Sequence, residues 1–174
     1  MEHCQILAGG GRRFYLYRPE TLEAALEVAR IAARGFSAVV LDSLPALPSK
    51  WELSDNPPEW AELNRRMSTT IAHAMPQLAG ETARSGCTLF LINQMRERAG
   101  AMWGDPLKPT GGRAIGYYAA LRLRLYVTAP IRAKGPDVIG VHIRADVTKA
   151  KYTGARKTAL ISLLYGRGFT DTKI

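Results

Sequence analysis

The chain has 174 residues, 47% of them hydrophobic, a mean hydropathy of −0.11 and a formal net charge of +9. That size fits a single domain over residues 1–174 with a core of its own, and no apolar run approaches the roughly 20 residues of a membrane span. Cys4 and Cys87 are too few for a disulfide framework and lack metal-site spacing, and the first residues show no secretory leader, so the expected compartment is the cytoplasm. The charge is uneven: residues 1–94 are net −1, whereas residues 95–174 are net +10. Arginine supplies 17 of the 24 cations. An excess confined to one half points to a polyanionic partner.

In chain order, Gly9-Gly10-Gly11 reads as a flexible turn and Arg13–Tyr17 as a short strand of strong β formers. Pro19-Glu20-Thr21 opens a helix whose apolar stripe is Leu22, Ala25, Leu26, Ala29, Ala32 and Ala33, with Gly35 closing it. Ala38–Leu41 is a buried strand ending in Asp42-Ser43. Residues 44–58 hold four prolines and form a connector. A second helix spans about 58–83, and Pro76 is expected to kink it or end its first half. Gly86 breaks the chain before a strand at 88–92. The order strand, helix, strand, helix, strand implies parallel pairing with right-handed crossovers. Ala114–Tyr118 is a short helix. Leu121, Leu123 and Leu125 then alternate with Arg122, Arg124 and Tyr126 at a period of two. Val138–Val147 and Thr158–Leu164 are further strands, Gly135-Pro136 a turn. With no helix between them, these three are antiparallel or mixed additions.

Several residues could carry chemistry. Strand 88–92 ends abruptly in Asn93-Gln94, and about twenty polar residues follow with Arg96, Arg98, Lys108 and Arg113. In open α/β sheets the C-terminal strand ends are where ligands bind, and a long cationic loop there suits a polyanion. Asp42 at the end of VVL is either a Mg²⁺-holding acid or a strand-end turn residue. Gln94 either senses a phosphate oxygen or caps the loop. Lys149 and Lys151, two apart on one face, suit a phosphate or are a solvated strand end. Trp103 either stacks on a base or folds back on its own domain. Cys87 reads as a small core residue. No G-x-x-x-x-G-K-[ST] occurs; Gly9-Gly10-Gly11 has the wrong spacing and precedes a strand, whereas a phosphate loop follows one. His3, His73 and His142 receive no role.

Taken together, VVLDS, Leu78-Ala79-Gly80, LFLINQMR, GAMWGDP, TGGRAIGYYAALRLRL, TKAK and LLYGRG occur in this order over residues 38–168 and resemble the core of the RecA family of recombinases. The resemblance implies a RecA-like α/β core: a mostly parallel sheet flanked by helices, antiparallel strands added at the C-terminal end, and the phosphate-loop strand missing. It implies single-stranded DNA as partner, together with other copies of the chain or other repair proteins, and ATP with Mg²⁺ as cofactors. It casts Asp42 as the Mg²⁺-associated acid, acting indirectly, with Ser43 beside it. Gln94 becomes the γ-phosphate sensor, and Lys149 and Lys151 the lysines that reach a neighbour's ATP. Met95 to Gly112, including Arg96, Arg98, Trp103, Lys108, Thr110 and Gly111, becomes a DNA-binding loop, with Arg113 standing where the family has asparagine. Tyr117 matches a subunit contact and Glu2 the catalytic glutamate. Thr69 and Pro76 replace family arginines, and no N-terminal docking helix or C-terminal domain is expected. The implied roles are DNA binding in recombination, repair and the SOS response to DNA damage, or an adaptor without ATPase activity that binds repair or translesion-synthesis proteins.

Overall fold

The computed structural model describes residues 4–9, 12–97, 107–133, 135–153 and 157–170. It divides into two compact units, residues 1–118 and 119–174.

The first unit opens with β1 (Cys4–Gly9) and β2 (Arg12–Tyr17), an antiparallel pair. The sequence had shown only the second of these strands. Tyr15 meets Phe36 edge-on at 5.1 Å between ring centroids, which ties the hairpin to the end of the following helix. That helix, α1 (Leu22–Ala32), is capped by Thr21, whose Oγ1 accepts from the Ala24 N–H at 3.2 Å. Its buried face is Leu22, Ala25, Leu26 and Ala29, as the 3.6-residue spacing requires. Ala33 is its C-cap, in right-handed helical conformation, and Gly35 is not the left-handed cap expected of it.

β3 (Ala38–Leu41) and β4 (Thr88–Leu91) pair in parallel with Ala38 opposite Thr88 and Leu41 opposite Leu91. Among the described residues this is the one parallel pair. Val39, Leu41, Leu89 and Leu91 face the helices, while Val40 and Phe90, on the other face, are more than half exposed. The sequence had read Ala38–Leu41 as a buried strand, and this is a correction: one face of the pair packs and the other is exposed. Between them, α2 (Trp60–Ser85) runs unbroken through Pro76 and ends at Gly86, which adopts the left-handed φ of 73° that favours glycine. The helix does not stop at the proline, because packing on both sides of it outweighs its breaking tendency. Ile71 and Met75 before the proline and Leu78 after it are all buried in one core, so one lost backbone hydrogen bond is outweighed by three buried side chains, each contributing about 1.5–3 kcal/mol. Cys87 is buried, and burial pushes its thiol pKa up.

In the second unit, β7 (Leu121–Arg132), β8 (Val138–Ala150), β9 (Thr158–Leu164) and β10 (Gly168–Thr170) form an antiparallel sheet in the order β10-β9-β8-β7. The β7–β8 ladder is longer than the sequence pattern indicated and carries three register shifts. Tyr126 lies opposite Arg144, and both Arg144 and Arg124 place their guanidinium groups over its ring, at 4.6 and 4.9 Å. His142 Nδ1 is 3.0 Å from the Oγ of the buried Ser162.

Glu81 of α2 ties the two helices together. Its carboxylate meets Arg34 at 2.7 Å, Arg84 at 3.1 Å and Arg30 at 3.6 Å. The Arg34 hydrogen bond, with help from Arg84 and against the opposing effect of burial, holds the Glu81 carboxyl at about 2 instead of 4.5. A depressed carboxylate adds stability that is complete above its unfolded pKa and disappears as pH falls through the folded one. Glu81→Gln should therefore lower the thermal midpoint at neutral pH, and the gap to the parent should close between about pH 4.5 and pH 2. Melting curves across that range check it; a gap independent of pH would contradict it.

Candidate nucleic-acid interface

Parallel pairing places the C-terminal ends of β3 and β4 side by side. Backbone bonds continue the pairing past the strands, from Ile92 N–H to Leu41 O at 3.0 Å and from Leu44 N–H to Ile92 O at 3.1 Å. Asp42 and Gln94 therefore emerge at one edge, both exposed, with Ser43 buried between backbone turns.

The described ends of the stretch after Gln94, which its composition had suggested to be a structureless loop, are paired strands. Met95–Glu97 (β5) pairs antiparallel with Leu107–Pro109 (β6), with Met95 opposite Pro109 and Arg96 opposite Lys108. Asn93 clamps its two ends. Its Nδ2 donates to Thr110 O at 2.8 Å, its Oδ1 accepts from Gln94 N–H at 2.8 Å, and Thr110 N–H reaches Gln94 O at 3.4 Å. Sequence reading passed over Asn93, because a two-ended amide clamp is visible only once residues 17 positions apart are brought together.

Beyond the clamp, Gly111 and Gly112 have φ of 88° and 77°. A Cβ on Gly111 would lie 2.6 Å from Ile71 Cδ1 and 3.0 Å from Ile115 Cδ1. Glycine is required there by the turn and by close approach to the core. The exposed Arg113 follows, and α3 (Ala114–Tyr118) begins. Tyr117, largely exposed, stacks edge-on against Tyr118 at 5.3 Å.

The paired cations Arg96 and Lys108 are the main electrostatic feature. Like charges directly opposite on neighbouring strands repel and destabilise the pair. A second such pair lies in the other unit, where Arg122 is opposite Lys149. Lys149 has its pKa lowered, first by burial of its ammonium and then by repulsion from Lys151 and Arg122. Arg122 is thus a third cation beside the two that the spacing had picked out; its pairing depends on register, which the sequence does not display. Glu2, Arg98 and Trp103 lie outside the described residues.

A RecA N-terminal domain model matches residues 4–170. The chain belongs to the RecA family. It is 35% identical over 156 residues to "Protein RecA" of Clostridioides difficile (strain 630), an alignment covering 88% of this chain and 44% of that protein. The chain thus spans under half the length of the curated relative it matches. No helix of the described residues is long and apolar enough to cross a membrane.

Family membership raises the question of nucleotide, and the described residues of this RecA-family chain answer it in part. Asp42 and Gln94 offer a carboxylate and an amide at one strand-end edge. A triphosphate also needs a cradle of backbone N–H groups at a glycine-rich strand-to-helix turn. The glycine-rich segment here instead links β1 to β2 in an antiparallel hairpin. The α1 start has its N–H groups engaged, Leu22 with Pro48 O and Ala24 with the Thr21 cap. The described residues do not form a triphosphate site by themselves, and among them no group of three or more acidic, His or Cys side chains could hold a metal ion.

Replacing Asn93 by Ala should free both ends of the β5–β6 segment. Amide exchange at 107–110 should accelerate, and unfolding in urea should cost about 1 kcal/mol less. Gly111→Ala should cost more, because strain and overlap with Ile71 add. Unchanged exchange in Asn93→Ala would remove the clamp from the account.

Proposed function

We propose that this chain binds single-stranded DNA along the β5–β6 strand pair and the Gly111–Arg113 turn, in a RecA-type role in recombination and DNA repair. The carrying observation is the cross-strand pairing of Arg96 with Lys108. Two cations fixed opposite each other repel, and a phosphate between them turns the repulsion into attraction. Arginine's planar fork suits that contact. The net charge of +10 over residues 95–174 has the same sense. Met95, Thr110 and the two glycines shape the turn, and Arg98 and Trp103 belong to the same stretch of chain.

In this reading Gln94, next to the Asn93 clamp, passes the state of a bound phosphate to the strand pair. Were a phosphate cradle supplied, Asp42, with Ser43 beside it, would hold a Mg²⁺ indirectly, Lys149 with Lys151 and Arg122 would contact a phosphate, and Glu2 would serve as the acid of the nucleotide site; Tyr117 would touch a neighbouring subunit. ATP enters only where a phosphate cradle is supplied in addition to the described residues. A second reading, an adaptor that binds repair or translesion-synthesis proteins, draws on β7, where Leu121, Leu123, Leu125 and Val127 are each more than half exposed along one face of the sheet. A stripe of this kind suits a polypeptide partner.

Affinity for a single-stranded oligonucleotide, measured against salt, tests the first reading. Each phosphate neutralised adds roughly −0.7 to the log–log slope. Arg96→Ala with Lys108→Ala should weaken binding and flatten that slope by about two such increments, whatever the base sequence. A slope near zero in the parent, or affinity unmoved by the double change, would favour the adaptor.

A further inference from the structure

A groove of about 350 Å³ runs between α1 and α2, lined also by Lys50 and Trp51 of the connector that precedes α2. That volume falls within the roughly 300–1,000 Å³ of small-molecule sites. Its floor is apolar: Leu26 and Leu78 belong to the buried core, and Ala74 packs against it. The described residues that line it include none from the β5–β6 pair or the Gly111–Arg113 turn, so it is separate from the surface proposed for DNA.

The charges along the groove are those of Glu23, Glu27, Arg30 and Lys50, and Thr70, His73 and Gln77 complete its α2 wall. Arg30 Nε donates to Glu27 at 2.8 Å, and the same guanidinium lies 3.6 Å from Glu81. The Lys50 ammonium sits over the Trp51 ring, 4.9 Å from its centroid. Glu23 is the exception. Its Oε2 accepts from Lys50 N–H at 3.0 Å, but its Oε1 is buried and has no hydrogen-bond partner among the described residues. A carboxylate oxygen taken out of water without a donor costs free energy until something supplies one.

We propose that this groove takes an alkylguanidinium, its head on the Glu23 carboxylate and its stem along Leu26, Ala74 and Leu78. A guanidinium brings N–H donors in a rigid fork matched to a carboxylate, and it is less strongly hydrated than an ammonium, so it enters a half-buried site at lower cost. The last torsion of a glutamate is soft, so Oε1 can turn to the entering donor while Oε2 keeps the Lys50 N–H. The same chemistry has two sources, a free small cation or an arginine side chain of a partner polypeptide. Neither depends on the binding of DNA.

The probes are n-butylguanidinium and a short peptide, blocked at both ends, with one arginine among alanines; n-butylurea, of similar shape but uncharged, is the control. Ligand-observed NMR titrations on the whole chain give the affinities. The parent should bind both guanidinium probes and leave butylurea free. Glu23→Gln keeps the side chain's size and its acceptor for Lys50 N–H but loses the charge. It should weaken binding roughly 10- to 150-fold, the range of one hydrogen bond to a charged group. Glu27→Gln removes the same charge from a carboxylate already held by Arg30 and should leave the affinity nearly unchanged. Tighter binding of the peptide assigns the groove to a partner's arginine, equal or weaker binding to a free cation, and either bears the site out. No binding of either guanidinium probe, equal binding of butylguanidinium and butylurea by the parent, or equal losses in the two variants would overturn it, whatever the result with DNA.

Discussion

The parallel pairing of Ala38–Leu41 with Thr88–Leu91 is the constraint on which the first unit depends. Leu41 and Leu91 sit opposite each other, and both strands rest on the core formed by α1 and α2. Parallel strands end on the same side, so Asp42 and Gln94 leave the sheet together although 52 positions separate them in the sequence. The hydrogen bonds through Ile92 carry that alignment one residue past the strands. Without it, Asn93 would not be in position to hold Thr110, and the cationic strand pair would have no fixed base.

Against this ordered base, the interface breaks local rules. Opposed cations at Arg96 and Lys108, and again at Arg122 and Lys149, run against good sheet pairing. Thr110 keeps a buried hydroxyl with no hydrogen-bond partner among the described residues. Departures of this kind concentrate where a surface is shaped for a ligand, and the rest of the fold compensates. Compensation is visible here in Asn93, whose single side chain satisfies a carbonyl at one end of the segment and an N–H at the other. It is visible too in Glu81, where three arginines converge on one carboxylate to fasten α1 to α2.

The family explains part of this and leaves part open. The matched region covers nearly the whole chain but under half of the relative's length. The strand-end edge brings Asp42 and Gln94 together, while β1 and β2 on either side of the glycine-rich segment pair antiparallel. The cationic strand pair is therefore the better defined half of the candidate site.

Periodicity and punctuation determined much of the architecture. The 3.6-residue stripe from Leu22 to Ala33, the two-residue alternation from Leu121 to Tyr126 and the break at Gly86 are local patterns whose physical causes act within a few residues, and each element appears where its pattern lies. The cationic character of the stretch after Gln94 was equally plain. Tertiary structure alone decided the rest. It carried α2 through Pro76, because buried neighbours on both sides outweigh one missing hydrogen bond. It paired β1 with β2 and turned an apparent loop into the β5–β6 pair. It left Val40 and Phe90 on a bare face, since an apolar run does not say how many layers cover it. Register placed Arg96 opposite Lys108 and Arg122 opposite Lys149, and packing set Gly111 against Ile71. Pairing partners, register and close approach are relations between residues far apart in sequence, so no local pattern encodes them.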